Sequence, residues 1–218
     1  MQCNYILHGH ILEQVQSAKS LGVTLTHDLR WHQHVMDLTA KANRTLSFLR
    51  RNLRINSEQF KCMAYTTLVR PLLEYSCTVW DPYTKEDIRL LEGVQRRAAR
   101  YVLNRYHYTA SVSDMLKELG WKPLEVRRQH HRMNMMYKII NNLAAIDKVK
   151  YLTPPSRSTR YSSGSSFIIP HSGADYHKYS FFSRSVKDWN SLPTEVVSAP
   201  SIDAFKKRLE STCIIRNN

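Results

Sequence analysis

Trp31, Val35, Leu38, Ala42, Leu46, Leu49 and Leu53 recur at steps of 4, 3, 4, 4, 3 and 4, the period of one face of an α-helix. The spacing predicts a long helix beginning after Asp28. Phe60, Ala64, Leu68 and Leu72 predict a second helix, with Ser57 at its N-cap. Pro71 falls inside that pattern and predicts a kink or break, because it removes a backbone donor and crowds the preceding turn. Ile88, Leu91, Val94, Ala98, Tyr101 and Val102 mark a third helix starting near Thr84. Ser111–Asp114 opens a short helix that Gly120 stops. Pro123 stands before another, with Val126, Met133, Met136, Tyr137, Ile140 and Leu143 inward and Arg127, Arg128 and Arg132 on its surface.

The ends of the chain read differently. Tyr5–Leu7, Ile11–Val15 and Leu21–Thr26 have strand character, with Gly9 at a permissive turn between the first two. They predict a small antiparallel sheet of three strands, whose apolar side chains have little to cover them. From Lys148 to Tyr179, Pro154-Pro155 and a Ser-rich run read as a linker. Pattern returns at Phe181-Phe182, through Trp189 to Leu192-Pro193, and in a last helix capped by Ser201. The organisation expected is a sheet remnant at 1–27, helices at 28–147, a linker at 148–179 and a partly ordered helical tail at 180–218. The fold class is mainly α.

Charge narrows the function. The 218 residues carry 32 Lys and Arg against 18 Asp and Glu, a net charge of +14, which favours a polyanionic partner. Only 6 glycines are present, where an average chain of this length has about 15. No P-loop, dinucleotide glycine motif or serine elbow occurs. The acidic residues are scattered, with no aspartate pair that could bridge two metal ions. His32/His34 and His130/His131 supply too few ligands for a metal site. Cys3, Cys62, Cys77 and Cys213 are far apart and read as reduced thiols of an intracellular protein. No secretory signal or bilayer-length apolar run is seen, so the reading is nuclear or cytoplasmic, with no membrane partner and no small-molecule substrate.

The cations are patterned. Lys41, Arg44, Arg51 and Arg54 share the face of the first helix opposite its leucines, and Phe48 lies among them. Cations on one face suit phosphates, and an exposed ring suits stacking on sugar or base. Arg89, Arg96, Arg97 and Arg100 form a second stripe on the third helix, with Gly93 among them. Arginine forks match phosphate geometry. Gly93 admits either a close ligand backbone or close helix packing. Arg127 and Arg128 complete the candidate nucleic-acid-binding set.

Several strings share order with one family. Ser20-Leu21-Gly22-Val23-Thr24-Leu25-Thr26, Leu29–Val35, Leu68-Val69-Arg70-Pro71-Leu72-Leu73-Glu74-Tyr75, Val79-Trp80-Asp81-Pro82 and Leu91–Arg100 come first. Leu119-Gly120-Trp121, Leu124–Arg128, Ser180-Phe181-Phe182 and Trp189–Pro193 follow. In this order they resemble the C-terminal part of reverse transcriptases from non-LTR (LINE-type) retrotransposons of the jockey and chicken-repeat groups. The resemblance implies that Leu21, Gly22 and Val23 match the primer-grip hairpin at the edge of the palm. It implies that the helices form a thumb-like bundle and the region that follows it. Thumbs of this family hold template–primer duplex by its backbone.

The palm aspartates that bind magnesium in this family have no counterpart here, so the resemblance implies no catalytic residue and no cofactor in this chain. The expectation is a truncated fragment of an RNA-directed DNA polymerase. It would bind RNA/DNA or RNA duplex without sequence preference and would not polymerise. The alternative is a helical protein-interaction module or a pseudogene product without a role.

Overall fold

A computed structural model describes residues 5–53, 57–156 and 166–212. The chain is mainly α, preceded by two small antiparallel strand pairs. β1 (Ile6–Leu7) pairs with β2 (His10–Ile11), and β3 (Ser17–Ser20) pairs with β4 (Val23–Thr26). The expected three-stranded sheet is therefore two separate hairpins. The third predicted strand finds its partner in the polar segment Ser17–Ser20, not in Ile11–Val15. Each hairpin turns on two residues with positive φ, His8-Gly9 and Leu21-Gly22, the twist that two-residue hairpins favour. Both strands of the first pair are exposed on both faces. In the second pair Val23 is buried against the helices.

α1 (His32–Asn52) buries Val35, Ala42, Leu46 and Leu49, as its apolar spacing requires. α2 (Glu58–Ala64) runs into a π-helical turn, Tyr65–Val69, and then into α3 (Arg70–Glu74). The helix runs on through Pro71 without a break. The wide turn just before it, in which the Arg70 amide donates to the Tyr65 carbonyl, absorbs the shifted hydrogen-bond frame. α4 (Cys77–Trp80) follows, then α5 (Lys85–Leu103), whose start is capped by the Thr84 hydroxyl. α6 (Val112–Glu118) is capped by Ser111, and Gly120 just beyond it has φ 64°. α1, α3, α4 and α5 enclose a first core that includes Tyr65, Leu73, Trp80, Leu91, Val94 and Leu124.

α7 (Leu124–Ile140) serves two cores. Its first residue, Leu124, joins the first one. Met133, Met136, Tyr137 and Ile139 join a second, with Val186 and Trp189 of α10 (Phe181–Asn190) and Phe205 and Leu209 of α12 (Ile202–Ser211). Leu143, expected inward, lies past the end of α7 and is exposed. Between α7 and α10 lie two single turns, α8 (Lys148–Tyr151) and α9 (Asp175–Lys178), and α11 (Thr194–Val197) precedes α12. Parts of the stretch read as a linker are packed. Leu152 is buried in the second core, and the Asn190 amide bonds both the N–H and the carbonyl of Phe167. Among the described residues, no helix is long and apolar enough to cross a membrane.

Candidate nucleic-acid interface

Because leucines occupy one face of α1, its other face is left to water. Lys41, Arg44, Phe48 and Arg51 all lie there, exposed. The Phe48 ring is 57% exposed, so no neighbouring helix covers it. Arg54 lies outside the described residues. The three described cations of this stripe have no carboxylate partner among the described residues, so their charge is not offset by ion pairs.

α5 offers a second stripe. Arg89, Arg96 and Arg97 are exposed and Arg100 is half-buried. α1 and α5 pack side by side in the first core, and the Arg97 Nε donates to Asn43 Oδ1 at 3.1 Å across the seam. Of the two roles expected for Gly93, close packing against a neighbouring helix is not what it serves. A side chain built there would meet only the guanidinium of Arg97, at 3.6 Å, an ordinary contact. The space beside Gly93 is filled by an arginine of its own helix, one turn on.

The arginines of α7 require a correction. Arg128 is 0% exposed and Arg132 is 2% exposed, so neither lies on the helix surface. The Arg128 Nε donates to Asp81 Oδ1 at 2.9 Å. Arg132 bridges Asp81 and Asp188. Arg184, from α10, donates to the Asp81 carbonyl at 2.7 Å and lies 3.1 Å from its carboxylate. Burial acts to raise the Asp81 carboxyl, but the guanidinium groups of Arg184, Arg132 and Arg128 outweigh it and hold the group below its ordinary range. Burial likewise lowers Arg184, against the pull of Asp81. Arg127 is engaged as well, forking onto both oxygens of Glu74, with His131 at 3.8 Å. A guanidinium sealed in the interior cannot meet a phosphate outside, which removes Arg128 from the candidate set.

The hairpin matched to a primer grip is held from below. Leu21 projects into solvent at the turn, Gly22 has φ 84° beside it, and Val23 is buried. The Tyr75 ring lies beneath the turn, 3.4 Å from where a Gly22 side chain would begin. The Thr24 amide donates to His34 Nδ1 at 3.2 Å. Burial lowers the His34 imidazole, which keeps that nitrogen free to accept. His32 pairs with Asp87 at 2.7 Å. Thus the two histidines of this segment hold the start of α1 in place. Among the described residues no three His, Cys, Asp or Glu side chains converge as a metal set.

Tyr75, Asn43, Glu74 and Asp81 make the contacts described above without belonging to either stripe. Glu74, Tyr75 and Asp81 stand within the strings that carry the family resemblance, but nothing in local spacing marks what they touch. No known protein family, curated protein or solved structure matches this chain.

Proposed function

We propose that the chain is the thumb-bearing C-terminal part of a reverse transcriptase of the non-LTR retrotransposon type, and that it holds RNA/DNA or RNA duplex by the backbone without sequence preference. The observation that carries this reading is the pair of solvent-facing cationic stripes on α1 and α5, free of ion pairs among the described residues and accompanied by an exposed Phe48. Cations on adjacent helices that are held in no ion pair can reach successive phosphates, and Arg97 gives up only its bond to Asn43 to do so. The chain supplies no aspartate pair for the two-metal chemistry of polymerisation, so the activity proposed is binding alone, in the nucleus or cytoplasm.

The test is duplex binding measured against salt. With about five phosphates neutralised, log affinity falls against log salt with a slope of about −4, or roughly 10²–10³-fold between 50 and 200 mM. Joint reversal of Arg89, Arg96, Arg97 and Arg100 to Glu should abolish binding and leave the helical content unchanged. Binding that survives this reversal with the same slope would refute the reading.

One observation favours the alternative, a helical protein-interaction module. Phe60, Met63 and Leu68 are each at least half exposed along α2 and the π-helical turn. A partner seated there would be insensitive to the reversal on α5.

A further inference from the structure

A cleft of about 360 Å³ opens where α3, the loop before α7, α7 itself and α12 meet. Arg70 enters it from α3, Lys122 from the loop, Arg127 and His130 from α7, and Lys206 from α12. Glu210 of α12 is the only carboxylate among its lining residues. Two of the cations are engaged, Arg127 with Glu74 and Lys206 with Asp203. Arg70 and Lys122 have no carboxylate partner among the described residues. His131 also lines the cleft and leans on Glu74. The cleft draws on four separated parts of the sequence, Gln95 of α5 included, so it exists only in the folded chain. It is formed by residues other than the stripes of α1 and α5.

We propose that this cleft binds a phosphate-type oxyanion, with Arg70 and Lys122 as its principal cations and protonated His130 as an additional donor. Guanidinium and ammonium groups converging on a confined space match the oxygens of a phosphate or pyrophosphate, and a cleft of this size does not admit a duplex. A free phosphate and one phosphate of a nucleic-acid backbone present the same oxygens. Burial lowers the His130 imidazole, and the charges of Lys122, His131 and Arg127 lower it further against the opposing pull of Glu210. An anion among these cations reverses that effect, because it stabilises the imidazolium. Binding should therefore strengthen as pH falls through the His130 titration.

The experiment uses the whole chain and follows the His130 imidazole by NMR against pH, in inorganic phosphate and in chloride at equal ionic strength. Phosphate should shift its titration upward. Lys122→Gln and Arg70→Gln should each weaken phosphate binding about tenfold, the loss of one charge-assisted hydrogen bond. Lys138→Gln, an exposed cation elsewhere on α7, should leave it unchanged. Identical His130 titrations in the two salts would overturn the proposal, as would an equal loss from Lys138→Gln. A pyrophosphate competition then identifies the source of the anion. Displacement of bound duplex assigns the site to a backbone phosphate, and simultaneous binding assigns it to a free anion. The proposal stands apart from the duplex reading, since the phosphate titration can be read in a chain that binds no duplex.

Discussion

The Tyr75 hydroxyl donates to the Leu21 carbonyl at 3.0 Å, across 54 residues of chain. Leu21 has φ 47°, a left-handed conformation that a large side chain adopts only when its surroundings enforce it. The bond fixes the tip of the β3–β4 hairpin to the end of α3. Tyr75→Phe should remove about 0.5–1.5 kcal/mol, and the effect should be local. Amide exchange at Val23 and Thr24 should accelerate while that of α1 stays as it was. Unchanged exchange at both positions would show that the hairpin is held by other contacts.

Phe48 separates recognition from stability. Because its ring stands in water, Phe48→Ala should change stability by no more than about 0.5 kcal/mol. If the ring stacks on sugar or base, duplex binding should weaken by about 1–3 kcal/mol, with an unaltered salt slope, since no cation is lost. A fall in melting temperature of several degrees with intact affinity would place the ring in the core instead.

Gly93→Ala should stabilise the protein. The position is helical, and the added methyl meets only the Arg97 guanidinium at ordinary distance. Replacing glycine by alanine inside a helix contributes about 1 kcal/mol, or roughly 2–4 °C in melting temperature for a chain of this size. A lower melting temperature would mean that the glycine serves a contact not seen in the fold.

Glu74 should make stability depend on acid. Burial acts to raise its carboxyl, but the nearby His131 and the hydrogen bonds from Arg127 prevail and bring it from 4.5 to about 2. The folded state therefore binds fewer protons here than the unfolded chain. This contribution is complete above pH 4.5 and is lost as pH falls from there toward 2. At neutral pH it is on the order of 3 kcal/mol. Urea unfolding of the wild type and of Glu74→Gln should differ by that order at pH 7, and the gap should close progressively below pH 4.5. A gap independent of pH would contradict the assignment.

Asp81→Asn should be among the most damaging single changes. It removes the only carboxylate that Arg128 and Arg184 engage among the described residues, while Arg132 retains Asp188. Leaving buried cations uncompensated costs about 3–5 kcal/mol. A loss under about 1 kcal/mol in urea unfolding would show that water reaches these guanidinium groups.

The helices were readable because burial repeats at 3.6 residues, and Thr84, Ser111 and Ser201 announced three of their starts. The stripes on α1 and α5 were readable for the same reason, each lying opposite an apolar face. Ser17–Ser20 gave no signal: all four residues are exposed, and only backbone pairing makes them a strand. Arg128 and Arg132 misled because arginine is rarely buried. The carboxylate that permits their burial lies 47 and 51 residues away, beyond the reach of any local pattern.

α7, shared between two cores, sets a limit on how this chain can be shortened. A protein ending at residue 147 would present Met133, Met136, Tyr137 and Ile139 to water, stripped of Val186, Trp189, Phe205 and Leu209. It would also lose Arg184, one of the three guanidinium groups around Asp81. The last third of the sequence is thus part of the packing around α7, and any shortened form that keeps Met133, Met136 and Tyr137 covered has to retain α10 and α12.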